Sequence, residues 1–215
     1  MLAPKIPVAK EGLPFIALAA LLTLVAALLA WPKMALLLSL VTLFVVYFFR
    51  DPERIITTHD DKTILCPADG RVIGVDRIDE CPFIAGKTMR ISVFMNVFNV
   101  HVNRAACAGR VEKVLHKPGM FFAADDKKAA LENESCTTVL RLPSGQEVAM
   151  VQIAGLIARR IVCWLQEGDE IKAGERFGLI RFGSRVDIYL PDDSQVKVFP
   201  GRKVKAGETV LAFLA

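Results

Sequence analysis

The sequence is poor in the residues that cross-link small folds or bind metals. It has five cysteines and three histidines, and the cysteines form no Cys-x-x-Cys pair. An odd number also leaves at least one cysteine outside any disulfide scheme, so a disulfide framework and a zinc site are disfavoured. We expect no metal, a reducing cytoplasmic setting, and cysteines that act as small buried apolar side chains. They are Cys66, Cys81, Cys107, Cys136 and Cys163.

A strong excess of one charge is also missing. The chain has 27 Lys and Arg against 23 Asp and Glu, which gives a formal net charge of +4. These basic residues are scattered and form no stripe with interleaved aromatic residues, the arrangement typical of nucleic-acid binding. We therefore expect no nucleic-acid partner. The mild basic excess fits an anionic membrane surface better.

Long apolar runs are abundant at the N-terminus. The segment Leu13–Trp31 contains no charged residue, and as a helix it would span about 28 Å, close to the thickness of the bilayer core. After Pro32-Lys33, a second apolar run covers Met34–Phe49. We predict a membrane-associated helical hairpin over residues 1–56. A cleaved signal peptide is the alternative for the first run, and its length and the lack of a small-x-small site argue against it. The second run is short for a perpendicular span, so an interfacial or re-entrant helix stays open.

The charges that flank these runs predict the orientation of the hairpin. Lys5 and Lys10 precede the first run, Arg50 and Arg54 follow the second, and only Lys33 lies between them. The positive-inside rule then places both ends in the cytoplasm. We expect a cell-membrane protein whose remaining residues lie on the cytoplasmic face.

The pattern changes in residues 57–215, which we predict to form the second domain. Short β-branched runs with period-two alternation are separated by Gly and Pro, which indicates a mainly β (α+β) fold: an antiparallel β barrel or sandwich. One helix is expected around Ala123–Leu131. The predicted strands are 71–78, 88–95, 137–142, 147–153 and 185–190.

An internal repeat supports the same architecture. The segment Gly168–Glu175 reappears as Gly201–Glu208, in both cases as Gly-x-x-[Val/Ile]-Lys-Ala-Gly-Glu or a close variant. The pattern resembles the turn units of lipoyl- and biotinyl-type β-sandwiches. A carrier module needs a lysine at an exposed hairpin tip, whereas Lys172 and Lys205 lie inside the units. The repeat therefore predicts lipoyl-like turn units without carrier function.

Three short segments contain residues suited to chemistry. Asp69 follows a proline in an Asp-Gly turn, where a carboxylate often only caps the turn. His101 alternates with valines on an expected strand and is the best general-base candidate. Gly183-Ser184 is the single Gly-Ser dipeptide of the chain. It lacks the flanking glycines of a Gly-x-Ser-x-Gly nucleophile elbow, which disfavours a conventional serine hydrolase.

Taken in order, five segments resemble one family, the phosphatidylserine decarboxylases, and in particular their short bacterial and archaeal branch. The resemblance covers nearly the whole chain, including the hairpin. The segments are FFRDPER (Phe48–Arg54), PADG (Pro67–Gly70), NVHVNR (Asn99–Arg104), NE (Asn133–Glu134) and FGSRVDIYLP (Phe182–Pro191).

The resemblance implies a proenzyme that cuts itself between Gly183 and Ser184. Ser184 would become a covalent pyruvoyl cofactor, with His101 as the base and Asp69 orienting it. The cofactor would form a Schiff base with phosphatidylserine and release CO2 to give phosphatidylethanolamine. The mature protein would be a heterodimer of a large chain, 1–183, and a small chain, 184–215, with further homo-oligomerisation left open.

The chain departs from the longer members of the family at two places. Those members carry Gly-Ser-Thr where this chain has Gly183-Ser184-Arg185, and they carry two histidines three residues apart, the second of which falls on Arg104 here. Either His101 serves both jobs in this chain or another group takes over the second.

Two other functions are compatible with parts of the sequence. A membrane-anchored lipoyl-like adaptor without catalysis would explain the hairpin and the repeat, but not the set of Asp69, His101 and Gly183-Ser184. The same chemistry on an ether-linked phosphoserine lipid of the archaeal type would change only the lipid tails.

Overall fold

The structure, a computed structural model, describes residues 7–56, 60–122, 124, 132–156, 160–181 and 183–215. These residues form two compact units, Met1–Glu53 and Arg54–Ala215. The helix predicted around Ala123–Leu131 falls outside the described residues, except for Ala124.

The first unit is a pair of apolar helices. A short 3-10 turn, Lys10–Gly12, leads into α1, Leu13–Leu28, and α2 covers Pro32–Phe48. A proline lies in the first turn of each helix, where its missing N–H costs no hydrogen bond. The predicted N-terminal hydrophobic helical hairpin is confirmed.

The two helices expose most of their large apolar side chains. An all-round apolar helix needs either a protein core or a membrane to cover it. The stretch Lys10–Leu28 is long and apolar enough to cross a membrane, and Pro32–Phe48 is a shorter apolar helix. Between the helices, the hydroxyls of Thr23 and Thr42 lie 3.0 Å apart, so these polar groups bind each other.

In the second unit, the described residues form fourteen strands in three sheets. The order is β13-β2-β3-β11-β7-β6-β5-β9 in the largest sheet, β1-β14-β12 in the second and β4-β10-β8 in the third. The strands are β1 Thr63–Leu65, β2 Gly70–Ile78, β3 Thr88–Met95, β4 Val102–Arg104, β5 Gly109–Lys117, β6 Ser135–Arg141, β7 Glu147–Ile153, β8 Ile161–Cys163, β9 Glu170–Ile171, β10 Arg176–Ile180, β11 Ser184–Pro191, β12 Gln195–Val196, β13 Lys203–Val204 and β14 Val210–Phe213.

Strand pairing throughout these sheets is antiparallel. Irregular registers at Val72–Gly74 in β2 and Val111–Lys113 in β5 bend the largest sheet, as β-bulges do. The mainly β, antiparallel fold that we predicted is confirmed, and the five predicted strands match β2, β3, β6, β7 and β11 to within two residues.

Strand β11 lies in the middle of the largest sheet, between β3 and β7. Its residues alternate between the two faces of the sheet. Val186 and Ile188 belong to the main core, whereas Tyr189 packs in a smaller apolar cluster with Ala149 and Val151 of β7. The strand that begins with Ser184 is therefore buried on both faces.

The two copies of the internal repeat adopt the same turn. The first and the last but one residue of each copy are glycines in the left-handed region: Gly168 and Gly174 in the first, Gly201 and Gly207 in the second. The N–H of Gly174 donates to Ala105 at 2.8 Å, and the N–H of Gly207 donates to Cys66 at 2.8 Å. The equivalent glycines of the two copies thus each donate a hydrogen bond to another segment of the chain, at Ala105 and at Cys66.

The five cysteines are free thiols, and Cys66, Cys107 and Cys136 are buried. Burial raises the pKa of Cys66 and of Cys107 to about 12, so these two thiols stay protonated and inert at neutral pH. Cys81 and Cys163 are only partly buried. The prediction of buried cysteines is therefore correct for three of the five.

Candidate active site

Ser184 begins the central strand β11 with its side chain turned into the protein. Its partner across the sheet is Met95 of β3, and it has no solvent exposure. Its hydroxyl has no hydrogen-bond partner among the described residues. A buried polar group left in that state costs about 1–3 kcal/mol. The fold therefore holds Ser184 in a position that stability alone does not favour.

Gly183, immediately before this serine, has an unusual backbone conformation. Its φ is +61°, in the left-handed region that residues with a side chain rarely adopt. A Cβ added at this position would meet nothing within 4 Å. The backbone conformation, rather than lack of space, is what requires glycine here.

His101 lies one residue before β4, not within a strand as we predicted. It is fully buried, and its carbonyl oxygen accepts a hydrogen bond from the N–H of Ile180 at 3.3 Å. Ile180 is the last residue of β10, just ahead of Gly183. The histidine segment and the segment that leads to Gly183-Ser184 are thus bound to each other through their backbones. No hydrogen bond joins the side chain of His101 to the hydroxyl of Ser184, because that hydroxyl has no partner among the described residues.

Asp69 is far more tightly held than a solvated turn cap. Its Oδ1 accepts a hydrogen bond from the backbone N–H of Ala206 at 2.8 Å, and its Oδ2 binds Nη2 of Arg54 at 2.8 Å. Arg54 also binds Oε1 of Glu208 at 2.9 Å. The side chains of Arg54 and Asp69 are only 9% and 12% exposed. Charge-assisted hydrogen bonds of this kind are short and strong, so the carboxylate of Asp69 is fixed in place.

Backbone contacts join the loop that carries Asp69 to the strand that follows His101. The N–H of Arg104 donates to the carbonyl of Pro67 at 2.9 Å. The side chain of Arg104 turns to the first turn unit, where Nη1 donates to the carbonyl of Gly174 at 2.9 Å. The arginine at the position where the longer members were expected to carry a second histidine is therefore buried and bound to the first turn unit.

The other departure from the family pattern, Arg185, lies on the opposite face of β11 from Ser184. Its guanidinium binds both carboxylate oxygens of Asp187, at 2.6 and 2.7 Å, and the hydroxyl of Ser92 at 2.9 Å. Both members of this ion pair are buried. Arg185 therefore stabilises the strand without pointing toward the serine hydroxyl.

Sequence reasoning missed several residues that shape the site. The sequence marks Arg54 as a flanking positive charge and as the end of a family segment, and Asn133 as part of another family segment, but it shows no partner for either residue. Asn133 is buried and makes three hydrogen bonds, two with the backbone of Phe122 and one with the carbonyl of Ala154. Gly155, which packs against the carbonyl of Gly183, gave no signal in the sequence. These contacts join segments that are distant in the chain.

Among the described residues, no group of three or more His, Cys, Asp or Glu side chains is arranged to hold a metal ion. The buried, unpartnered hydroxyl of Ser184 directly follows a glycine in the left-handed region.

Comparison with known proteins identifies the family. The family described as "Phosphatidylserine decarboxylase" matches residues 41–212. The chain is 53% identical over 211 residues to the phosphatidylserine decarboxylase proenzyme of Desulfotalea psychrophila, with 98% of each chain covered. It is 48% identical over 208 residues to the proenzyme of the same name from Geotalea uraniireducens, and 50% identical over 208 residues to that of Syntrophotalea carbinolica, with 97% of each chain covered in both cases. The chain belongs to the phosphatidylserine decarboxylase family.

Proposed function

We propose that this protein is a self-processing phosphatidylserine decarboxylase that cuts itself between Gly183 and Ser184. The observation that carries the proposal is the buried, unpartnered hydroxyl of Ser184 directly after a left-handed glycine. Glycine leaves its own carbonyl carbon open to attack because it has no Cβ. A nucleophile and its target carbonyl are thus adjacent in the chain and held in a rare conformation.

The proposed self-cleavage between Gly183 and Ser184 proceeds in successive steps. Oγ of Ser184 attacks the carbonyl carbon of Gly183, and the peptide nitrogen leaves, which gives an ester. Loss of the Cα proton of residue 184 then expels the carboxylate of Gly183 and leaves dehydroalanine. Tautomerisation, addition of water and loss of ammonia give the pyruvoyl group. One water molecule is consumed and one ammonia is released.

His101 is the proposed base for the serine proton, and Asp69 is its proposed positioning residue. Asp69 would stabilise the charge that His101 gains, in the manner of the carboxylate in a catalytic triad. The clamp of Arg54 and Ala206 on Asp69 supports this role, because it keeps the carboxylate in one orientation. Since Arg104 binds the carbonyl of Gly174, we assign both histidine jobs of the longer members to His101.

In the mature enzyme, the pyruvoyl ketone supplies an electron sink for the carbanion that the loss of CO2 leaves on the substrate. The chain's own residues exclude water and deliver a proton. His101 is fully buried, so a proton that it holds reaches the substrate carbon without competition from bulk water. Protonation at that carbon gives phosphatidylethanolamine.

The two products of cleavage would remain together as a heterodimer. The small chain, 184–215, contains β11, which pairs with β3 and β7 of the large chain, 1–183. It also contains β14, which pairs with β1 of the large chain. Separating the chains would break these sheets, so no covalent link is needed to keep them associated.

A lipid substrate fits a protein that is anchored in a membrane. We propose that residues 1–56 hold the protein in the cell membrane and that residues 57–215, on the cytoplasmic side, form the decarboxylase domain. Moving a diacyl lipid into water costs about 0.8 kcal/mol per CH2 group. Phe98 and Leu156 are 61% and 64% exposed, and they lie close in sequence to His101 and Gly155. Apolar residues on these loops suit a site that meets lipid.

The test is the intact mass of the purified protein together with its activity on phosphatidylserine vesicles. The wild type should give two chains, 1–183 and 184–215. The mass of the small chain should be lower, by one ammonia, than that of the same chain with an N-terminal serine. Ser184→Ala should give one intact, inactive chain. A wild type that stays uncut and inactive would favour the adaptor instead, for which the comparisons offer no support. Nothing observed favours an ether-linked lipid.

A further inference from the structure

Gly155 lies directly against the carbonyl group that we propose to be cut. A Cβ added to Gly155 would overlap the carbonyl oxygen of Gly183 and come within 3.0 Å of its carbon. It would also lie 3.2 Å from Cβ of Ala124. The φ of Gly155 is outside the left-handed region, so its backbone conformation would accept an alanine. The requirement for glycine at this position is therefore steric, and it comes from the Gly183 carbonyl.

The segment that carries Gly155 is fixed by hydrogen bonds on both sides. The side-chain amide of Asn133 donates to the carbonyl of Ala154 at 2.7 Å, and the N–H of Ala154 donates to the carbonyl of Glu134 at 2.9 Å. The amide of Asn133 is itself held by two hydrogen bonds of 2.8 Å to the backbone of Phe122. Because Asn133 is only 1% exposed, water does not compete for these bonds.

From this geometry we propose that Gly155, held by Asn133, is a positioning residue for self-cleavage that fixes the orientation of the Gly183 carbonyl. The inference rests on the proposed cut at Gly183–Ser184 and adds the residues that prepare it. A serine can attack the preceding carbonyl only from one face of the carbonyl plane, so rotation of that plane moves the target carbon away from Oγ. The missing side chain of Gly155 leaves room for the carbonyl oxygen of Gly183 in its present orientation, and a Cβ there would force the carbonyl plane to rotate. A misplacement of about 1 Å in such an arrangement can slow a reaction by about 100-fold.

The experiment compares two glycine variants that introduce the same kind of steric conflict. In Gly155→Ala, the new Cβ displaces the carbonyl of Gly183. In the control, Gly109→Ala, the new Cβ meets the backbone carbonyl oxygen of Arg141 at 2.7 Å, in the pair of β5 and β6. Full-length chains are synthesised cell-free with mild detergent micelles, and cutting is followed over time by gel and intact mass in the monodisperse fraction.

We expect Gly155→Ala to be cut about 100-fold more slowly than the wild type, and Gly109→Ala to be cut within about threefold of the wild-type rate, because β5 and β6 are not part of the proposed cut. Hydroxylamine, which cleaves esters, should not speed the cutting of Gly155→Ala, since the block precedes ester formation. Faster cutting of Gly155→Ala in hydroxylamine would instead place the block after ester formation and would overturn the inference.

The outcomes separate this inference from the proposed function. If the wild type is not cut at 183/184, the proposed function fails. If the wild type is cut and Gly155→Ala is cut as fast as Gly109→Ala, only the role of Gly155 fails. If Gly155→Ala does not fold, the rate of cutting is measured for Asn133→Asp in the same assay. That variant keeps an acceptor for the N–H of Phe122 and loses the donor to the carbonyls of Phe122 and Ala154. Cutting at the wild-type rate would overturn the inference.

Discussion

The two copies of the internal repeat have nearly the same sequence and the same turn, but they serve different residues. In the second copy, Gly201–Glu208, the N–H of Ala206 binds the carboxylate of Asp69, and Glu208 binds Arg54. In the first copy, Gly168–Glu175, the carbonyl of Gly174 binds the side chain of Arg104. One copy therefore holds a proposed positioning residue, and the other holds a buried arginine. The repeated turn presents equivalent backbone N–H and carbonyl groups in both copies. The role of each copy depends on which side chain binds those groups.

The largest expected effect comes from removing the charge that the second copy holds. Asp69→Asn keeps an oxygen for the N–H of Ala206 but presents an uncharged group to Arg54. We expect self-cleavage to slow by at least about 100-fold, since triads lose that much or more when their carboxylate becomes an amide. The time course of uncut precursor on a denaturing gel measures this. Cutting at the wild-type rate would remove Asp69 from the mechanism.

Removing the residue that the first copy holds should affect stability instead. Arg104→Met takes a donor away from the buried carbonyl of Gly174, which we expect to lower the free energy of unfolding by about 1–3 kcal/mol. The folded fraction of this variant should still cut itself at a rate within about tenfold of the wild type, because Arg104 has no role in the proposed reaction. Thermal unfolding and the gel assay together check the two expectations. A folded Arg104→Met that stays uncut would give the first copy a role in chemistry.

The smallest expected effect concerns Glu208 and its dependence on pH. The hydrogen bond from Arg54 lowers the pKa of Glu208 below its ordinary value. The ionised form is therefore favoured by folding, and the stability it contributes is present above the ordinary pKa and is lost as the pH falls through the lowered one. Glu208→Gln should reduce the melting temperature slightly at neutral pH and converge with the wild type in acid. Glu175→Gln, the equivalent change in the first copy, is the control, and equal shifts in both variants would contradict the special role of the Arg54 contact.

Local patterns predicted much of the fold because a strand or an apolar helix depends mainly on the residues within one short stretch of sequence. The alternation in Thr88–Met95 and Glu147–Ile153 matched β3 and β7 residue for residue. Those patterns do not reveal which strands become neighbours, so the central place of β11 came only from the structure. Arg54 reaches Asp69 and Glu208, and Gly155 reaches Gly183, across large separations in the chain. Such contacts depend on topology, which is why their residues were missed or misread.

The family segments indicate candidate site residues but not how each one is held. Asp69 was expected in a turn, and the turn is present, yet its carboxylate is clamped by a backbone N–H and an arginine. His101 was expected within a strand and lies just before one, because β4 begins at Val102 where β10 pairs with it. A single strand pattern cannot predict where a partner strand ends, and that end sets the position of the histidine.

The most direct test of the central claim follows the oxygen atom of Ser184. The full-length chain is synthesised and allowed to mature in water enriched in oxygen-18, and the C-terminal peptide of the 1–183 chain is then analysed by mass spectrometry. If Ser184 attacks the carbonyl of Gly183, the new carboxylate oxygen comes from the serine, and this peptide carries no label. Incorporation of oxygen-18 into the carboxylate of Gly183 would mean that water, rather than the serine hydroxyl, cuts the chain, and would contradict the account.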